Sequence, residues 1–205
     1  MASVIEIELK NLVTQEEFIR IKNEFSLTEN LFIEQINHYF DSPTFQLKQL
    51  GCALRIRKKK NQYELTLKSP AEIGLLETNE KINEQLANQL ITSGELPEGE
   101  VKNKLRQLSL PLDNINYFGS LTTNRAEINY KDGLLVFDIS SYLNKRDFEI
   151  EYEVADRIIG ERIFQELMNQ LNIPIRETEN KIVRFYNAKK QYLSGEKTND
   201  NSESN

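Results

Sequence analysis

Glu6, Glu8 and Lys10 stand at alternate positions near the N-terminus, separated by Ile7 and Leu9. On a β-strand, alternate side chains share a face, so two carboxylates and an ammonium project into one space. Neighbouring carboxylates repel unless a cation lies between them. A hard divalent cation such as Mg2+ or Mn2+ accepts oxygen ligands of this kind. An exposed strand of mixed charge has the same spacing, so these three residues do not decide the matter alone.

The pattern recurs. Arg55 and Arg57 share a face opposite Leu54 and Ile56. A guanidinium can grip phosphate oxygens through two parallel hydrogen bonds. Lys68 ends the next strand and would add a point charge. Arg125 and Glu127 oppose Ala126 and Ile128, and Glu149, Glu151 and Glu153 oppose Phe148, Ile150 and Tyr152. Three like charges on one strand face destabilise it unless counter-charges or a metal face them. Asp138 lies on the strand before. Many cations on strands suit a polyanion, and two acidic strands suit metals that neutralise phosphoryl oxygens. Phosphoryl transfer needs chiefly that positioning and neutralisation.

These residues need a sheet to hold them. Residues 3–10 alternate strictly and read as a strand. Thr14 and Glu17 form a capping box before a helix whose apolar face is Phe18, Ile21 and Phe25. Further strands are expected over 31–40, 52–59, 62–68, 75–81, 116–130, 134–141 and 147–154. Asp41-Ser42-Pro43 punctuates the second strand, Lys60-Asn61 turns one hairpin and Asp132-Gly133 another. Helices are expected over 82–93, 100–108, 156–171 and 178–193. Two architectures satisfy the charged faces. One is a sheet covered by helices on one side and wet on the other. The other is a closed barrel, apolar outside under helices and charged within, with room for one small ligand.

The 205-residue chain is long enough for one domain with a substantial core. Residues 1–193 read as that domain and residues 194–205 as a polar, disordered tail. The net charge of −6 gives no dominant basic surface for nucleic acid or an anionic membrane. The basic run Arg55 to Lys60 reverses that sign locally and points to a compact anion. No apolar run is long enough to cross a bilayer, and no secretory signal opens the chain. The single cysteine, Cys52, forms no internal disulfide and no cysteine-rich zinc site. A reducing cytoplasm fits this composition.

The ordered set of motifs resembles the CYTH superfamily, the triphosphate tunnel metalloenzymes. Glu6-x-Glu8-x-Lys10 is its N-terminal hallmark. The likeness continues through QINHYFDSP (35–43), LRIRK (54–58), ELTLK (64–68), the Arg125 strand, Asp138, FEIEYEV (148–154) and ENKIVRFY (179–186). It spans Val4 to Tyr192 and is greatest to the short, single-domain branch of Gram-positive bacteria, whose members often carry adenylate cyclase labels. The resemblance implies an α+β fold with a closed eight-stranded antiparallel barrel. It implies that Arg55, Arg57, Lys68, Arg125 and Lys181 bind a triphosphate, with Lys10 close by and Arg184 one helical turn from Lys181. It implies that Glu6, Glu8, Glu149 and Glu151, with Asp138 and Glu77, hold one or two Mg2+ or Mn2+ ions. Glu151/Glu153 is the alternative late pair.

The remaining residues have plainer readings. His38, the only histidine, has the parity of the outer face, whereas Tyr39 has tunnel parity and could orient a water or a substrate oxygen. Cys52 reads as a small buried hydrophobe, and Lys189-Lys190 as a solvated helix end. Nothing in the sequence resembles a nucleobase pocket. Hydrolysis of inorganic triphosphate or a small organic triphosphate is the leading expectation, with Glu6, Glu8, Lys10 and Tyr39 in catalytic positions. Adenylate cyclase and a non-catalytic phosphoanion-binding module are the alternatives. The expected partner is the small triphosphate itself, bound to a monomer or homodimer.

Overall fold

A computed structural model describes residues 3–109 and 112–200. Its strands are β1 (Val4–Val13), β2 (Ile33–Asp41), β3 (Ala53–Lys59), β4 (Gln62–Pro70), β5 (Leu75–Ile82), β6 (Asn116–Tyr130), β7 (Gly133–Tyr142) and β8 (Lys145–Val154). They close in the order β1-β5-β4-β3-β2-β6-β7-β8, with every neighbouring pair antiparallel. The fold is α+β, and the closed barrel wins over the one-sided wet sheet. Its helices are α1 (Gln15–Glu24), α2 (Gln46–Gln49), α3 (Glu84–Ser93), α4 (Glu100–Gln107), α5 (Arg157–Gln170) and α6 (Lys181–Asp200).

The barrel is built inside out for a soluble core. Leu54, Ile56, Leu65 and Leu67 point outward and are sealed beneath α3 and α4 with Leu90, Val101 and Leu105. On the opposite flank, Phe137, Ile150 and Tyr152 meet Phe18 and Ile21 of α1 and Phe164 and Met168 of α5. Each fully buried side chain of this size contributes about 1.5 to 3 kcal/mol relative to exposure. The alternation that buries these faces outward forces the charged residues inward. The capping box forms as expected, with Thr14 Oγ1 accepting from Glu17 N–H and Glu17 accepting from Thr14 N–H.

One end of the barrel is plugged. Phe185 of α6 is buried against Tyr39, Leu121 and Tyr142, all on strands that line the interior. A segment across the outer wall delivers α6 to that position. Asn11 Nδ2 donates to the Pro174 carbonyl and Asn11 Oδ1 accepts from Arg176 N–H, both across the outer face of β1. Leu12 N–H donates to Thr178 Oγ1 at 2.9 Å. Arg176 then clamps both carboxylate oxygens of Glu17 at 2.8 Å.

Several boundaries differ from expectation. The short α2 is absent from the periodic pattern, because it is four residues long and its N–H groups are held by Ser42 Oγ and the Asp41 carboxylate upstream rather than by an amphipathic face. The β6–β7 turn is Lys131-Asp132 rather than Asp132-Gly133: Gly133 already pairs with Tyr130, and Lys131 takes the positive φ of 49°. The last helix begins at Lys181 and continues to Asp200, past the expected end at 193. It therefore takes in most of the expected tail, where no proline interrupts propagation. Residues 201–205 of that tail lie outside the described residues. Among the described residues, no helix is long and apolar enough to cross a membrane.

Candidate active site

The charged strand faces converge on one interior cavity of about 160 Å3. Glu6, Glu8, Lys10, Tyr39, Arg55, Arg57, Lys68, Arg125, Glu151 and Lys181 all contribute to its wall. Glu77, Asp138, Glu149 and Arg184 stand behind that lining and act through its members.

The basic side divides into two electrostatic classes. Arg125 is neutralised: it forms a bidentate pair with Asp138 at 2.8 and 2.6 Å and reaches Glu151 at 2.7 Å. Burial opposes its charge, but Asp138 and Glu151 raise its pKa well above the ordinary value. Lys181 also meets Asp138 at 2.9 Å and Glu149 at 2.7 Å, and bonds Glu151. These acids outweigh the burial that would otherwise discharge its ammonium. Arg57 is different. Its Nε donates to Asn37 Oδ1 at 3.3 Å, and no carboxylate among the described residues forms an ion pair with it. The charge of Arg55, followed by burial, lowers its pKa to about 10. Among the described residues Arg55 reaches only Glu77, at 3.7 Å, and its Nε is buried without a hydrogen-bond partner. Two guanidiniums two residues apart on one strand thus face the cavity under-compensated, which is a place for an anion.

The acidic side is crowded. Glu8 stands directly across from Glu153 in the β1–β8 ladder, and Lys10 stands across from Glu151. Lys10 bonds Glu8 and Asn180, while Lys68 bonds Glu6 and meets Glu77 at 2.8 Å. Burial raises the Glu6 pKa despite Lys68, with Glu8 and Glu77 adding to the rise. Burial also pushes Glu153 up to about 7, against Arg125 and with Glu6, Glu151 and Glu8 repelling it. Burial works against the Glu77 charge too, but Lys68 and Arg55 bring that acid down to about 2. Glu151 is held well below its usual range, because Lys181 and Arg125 outweigh its burial.

This donor set fits a hard divalent cation in kind, since it is all carboxylate, and in charge, since burial and then the neighbouring acids oppose the charged forms of Glu6 and Glu153, which a cation would favour. Among the described residues no three acids stand together as a ready cage. Lysine ammoniums lie between them instead. Glu153 stands across the β1–β8 ladder from Glu8, whereas Glu149 Oε2 is shared between Lys181 and Arg184, each at 2.7 Å. Arg184 also meets Asp147 at 2.9 Å and donates to the Glu179 carbonyl, so it ties α6 to β8.

The other singled-out residues sort as follows. Tyr39 faces the interior, with its buried ring against Phe185. His38 lies outside, 5.9 Å from the Tyr117 ring. Cys52 is buried in the apolar layer beneath α3 and α4, as expected. Lys189 departs from expectation. It is half-buried, donates to the Phe118 carbonyl and lies 4.8 Å from the Phe118 ring centre, while Lys190 is exposed. Phe185 and Ala188 bury their face of α6, and that draws Lys189 onto the barrel. Sequence reasoning missed Asn180 and Lys48, both in the cavity wall. Asn180 adjoins Lys181 in the ENK stretch and could have been found there. Lys48 lies on α2 and carried no periodic signal.

The CYTH domain family model matches residues 4–186. A Bacillus subtilis (strain 168) protein named putative triphosphatase YjbK is 50% identical over 193 residues, which is 94% of this chain and all of the relative. A Bacillus halodurans crystal structure described as a putative adenylate cyclase superposes with a TM-score of 0.88 at 44% identity, covering 91% of this chain and all of that one. A Hippeastrum structure shares the fold, with a TM-score of 0.76 at 20% identity, covering 90% and 96% of the two chains. Its description is a putative adenylyl cyclase with a dominant triphosphatase activity.

Proposed function

The chain belongs to the CYTH family, and from that premise we propose that it is a cytoplasmic, Mg2+- or Mn2+-dependent triphosphatase acting inside the barrel. The observation that carries this reading is the Arg55/Arg57 pair, with Arg57 lacking any carboxylate ion pair among the described residues while Arg55, Lys68, Arg125 and Lys181 in the same cavity wall each have one. A triphosphate supplies the missing negative charge. Arg55, Arg57 and Lys68 hold it from one wall, and Arg125, Lys181 and Lys10 from the other. Their charges offset the negative charge that develops on phosphoryl oxygens as a terminal phosphorus is attacked by water. Glu6, Glu8, Glu151 and Glu153 would hold the metal, with Glu77, Asp138 and Glu149 setting the positions of the basic groups between them. A bound divalent cation supplies neutralisation of phosphoryl oxygens and lowers the pKa of a coordinated water. Lys10 and Lys68, which bond Glu8 and Glu6, would be free to turn toward phosphate oxygens if those carboxylates held a cation. The functional unit is a monomer or homodimer.

The test is incubation with tripolyphosphate and with ATP, in Mg2+ or Mn2+, while following orthophosphate, pyrophosphate and cyclic AMP. Metal-dependent orthophosphate release from tripolyphosphate supports hydrolysis. Pyrophosphate appearing with cyclic AMP replaces it with the cyclase reading. Tight tripolyphosphate binding without product leaves an anion-binding module.

A further inference from the structure

At the plugged end the cavity wall changes character from charged to aromatic. Phe45, Phe118 and Tyr186 border it there, together with Lys48. Phe118 and Tyr186 are stacked, with ring centres 5.6 Å apart and planes inclined by 24°. Phe45 stands edge-on to both, 5.7 Å from Phe118 and 4.4 Å from Tyr186. All three rings are only partly buried.

Each ring reaches this place by a local irregularity. Tyr39 pairs with Gly119 and Phe40 with Tyr117, so Phe118 is the extra residue of a bulge in the β2–β6 ladder. Bulges re-aim a side chain away from the regular alternation. Phe45 has a left-handed backbone with φ 58°. A bulky residue adopts that region only where its surroundings enforce it, at a cost of about 1 to 3 kcal/mol. Here Asp41 enforces it, accepting from the backbone N–H groups of Ser42, Leu47 and Lys48. Tyr186 comes from α6, one turn beyond Lys181 and Ile182. Three separate elements thus converge on one aromatic wall that continues the phosphate cavity.

The Lys48 ammonium lies 3.2 Å from the centre of the Tyr186 ring. Burial lowers its pKa, and the charge of Lys190 lowers it further. A partly desolvated cation on a π-face marks a position that a planar, electron-poor ring also favours. The same three rings also border a second cavity of about 340 Å3 with Lys189 and Leu193, while Phe118 is braced edge-on against Phe185 at 5.1 Å, so the wall is anchored to the plug on one side and open beside it.

We propose that this wall is a subsite for the organic end of the substrate: a planar heteroaromatic ring that stacks on Tyr186 in place of Lys48, while its phosphates draw the Lys48 ammonium toward the cavity. The inference rests on the triphosphate reading of the cavity and adds a preference for a ring-bearing triphosphate over a ringless one. Stacking of a base on an aromatic side chain contributes about 1 to 3 kcal/mol, or roughly 5- to 150-fold in affinity.

The test measures binding of tripolyphosphate, methyl triphosphate and ATP to the full-length protein by calorimetry, with Ca2+ in place of Mg2+ to suppress turnover, for the native chain and for Tyr186→Ala and Phe118→Leu. The native chain should bind ATP at least fivefold more tightly than methyl triphosphate. The variants should lose that difference while keeping tripolyphosphate affinity within twofold. Equal affinity of the native chain for ATP and methyl triphosphate overturns the proposal, as does a variant that weakens all three ligands alike. Circular dichroism of each variant confirms folding, and the less disruptive Tyr186→Leu replaces Tyr186→Ala if that chain fails to fold. A selective loss of ATP affinity in a protein that hydrolyses nothing sustains the subsite and removes only the hydrolase reading.

Discussion

Glu8 on β1 and Glu153 on β8 occupy directly opposed positions of the antiparallel ladder. Like charges placed this way destabilise a sheet, and the pKa of Glu153 pushed up to about 7 records the strain of burial and repulsion. Replacing Glu153 by Gln should therefore stabilise the metal-free protein at pH 8, raising its melting temperature by about 2 to 4 °C for each kcal/mol of repulsion removed. The same change should shrink the stabilisation that 5 mM MgCl2, a concentration of roughly physiological order, gives the native chain. Thermal melts with and without metal read both effects. An unchanged metal increment would remove Glu153 from the metal set.

Arg57 and Arg125 look alike in sequence but differ in what their removal leaves behind. Arg125→Gln abandons Asp138, a fully buried acid, and should cost about 3 kcal/mol of stability even with Lys181 still beside it. Arg57→Gln removes a cation repelled by Arg55 and should leave the melting temperature unchanged or higher. It should nonetheless weaken tripolyphosphate binding about tenfold or more, the worth of one lost charge-assisted contact. Urea denaturation and calorimetric titration of both variants separate the two roles. Destabilisation by Arg57→Gln comparable to that of Arg125→Gln would show that the two arginines are equally structural.

His38 supplies a pH dependence away from the charged interior. Its Nδ1 is buried without a partner, and burial, helped by Lys58, holds the imidazole pKa below 6.5. In the unfolded chain the same group titrates near 6.5. Below that pH the unfolded chain binds a proton that the folded chain resists. The stability it contributes is therefore present above pH 6.5 and lost as pH falls through and below it. His38→Leu should flatten the fall of melting temperature between about pH 7.5 and 5.5 relative to the native chain. Parallel curves would mean that the imidazole charges freely in the fold.

The inward charges were legible because strand alternation has a period of two and leaves no doubt which residues share a face. Ile5, Ile7 and Leu9 on one side fix Glu6, Glu8 and Lys10 on the other, and the apolar layers under the helices decide that the charged side is the inside. Alternation does not say which opposed charges meet. Register does, and register places Glu153 rather than Glu149 across from Glu8. The aromatic wall was illegible for a related reason. Phe118 sits on a bulge and Phe45 in a left-handed turn, and both break the periodicity by which a strand or helix is recognised.

Arg176 shows a positioning role at a distance from the cavity. It joins the segment preceding α6 to Glu17 through two 2.8 Å contacts and to the Leu12 carbonyl at 2.9 Å. That segment sets where Lys181 enters the barrel. The pair is partly exposed, so Arg176→Ala should cost only about 1 kcal/mol of stability. With Lys181 no longer fixed, KM for the triphosphate should rise several-fold and kcat should change less. Arg176→Lys should rescue little, because a point charge cannot span both oxygens of Glu17. A fall in kcat alone would place the effect elsewhere.

Gly74 couples backbone geometry to the acidic site. It has φ +72°, and a Cβ there would lie 2.2 Å from the Glu6 carbonyl oxygen. Glu6 pairs with Leu75 in a β1–β5 ladder of only three residue pairs, so the seam has little to resist displacement. Gly74→Ala should therefore move the start of β1 and turn Glu6 away from Glu8. Gly94 is the control: it has the same φ, and its Cβ would lie 1.9 Å from the Ile115 carbonyl oxygen, at the end of α3 and outside the tunnel. Both alanine variants should lose stability, by at least the ~1 to 2 kcal/mol of a left-handed residue. Only Gly74→Ala should also raise the Mg2+ concentration needed for half-maximal turnover. If both variants shift the metal dependence, or neither does, the seam at Glu6 does not control the metal ligands.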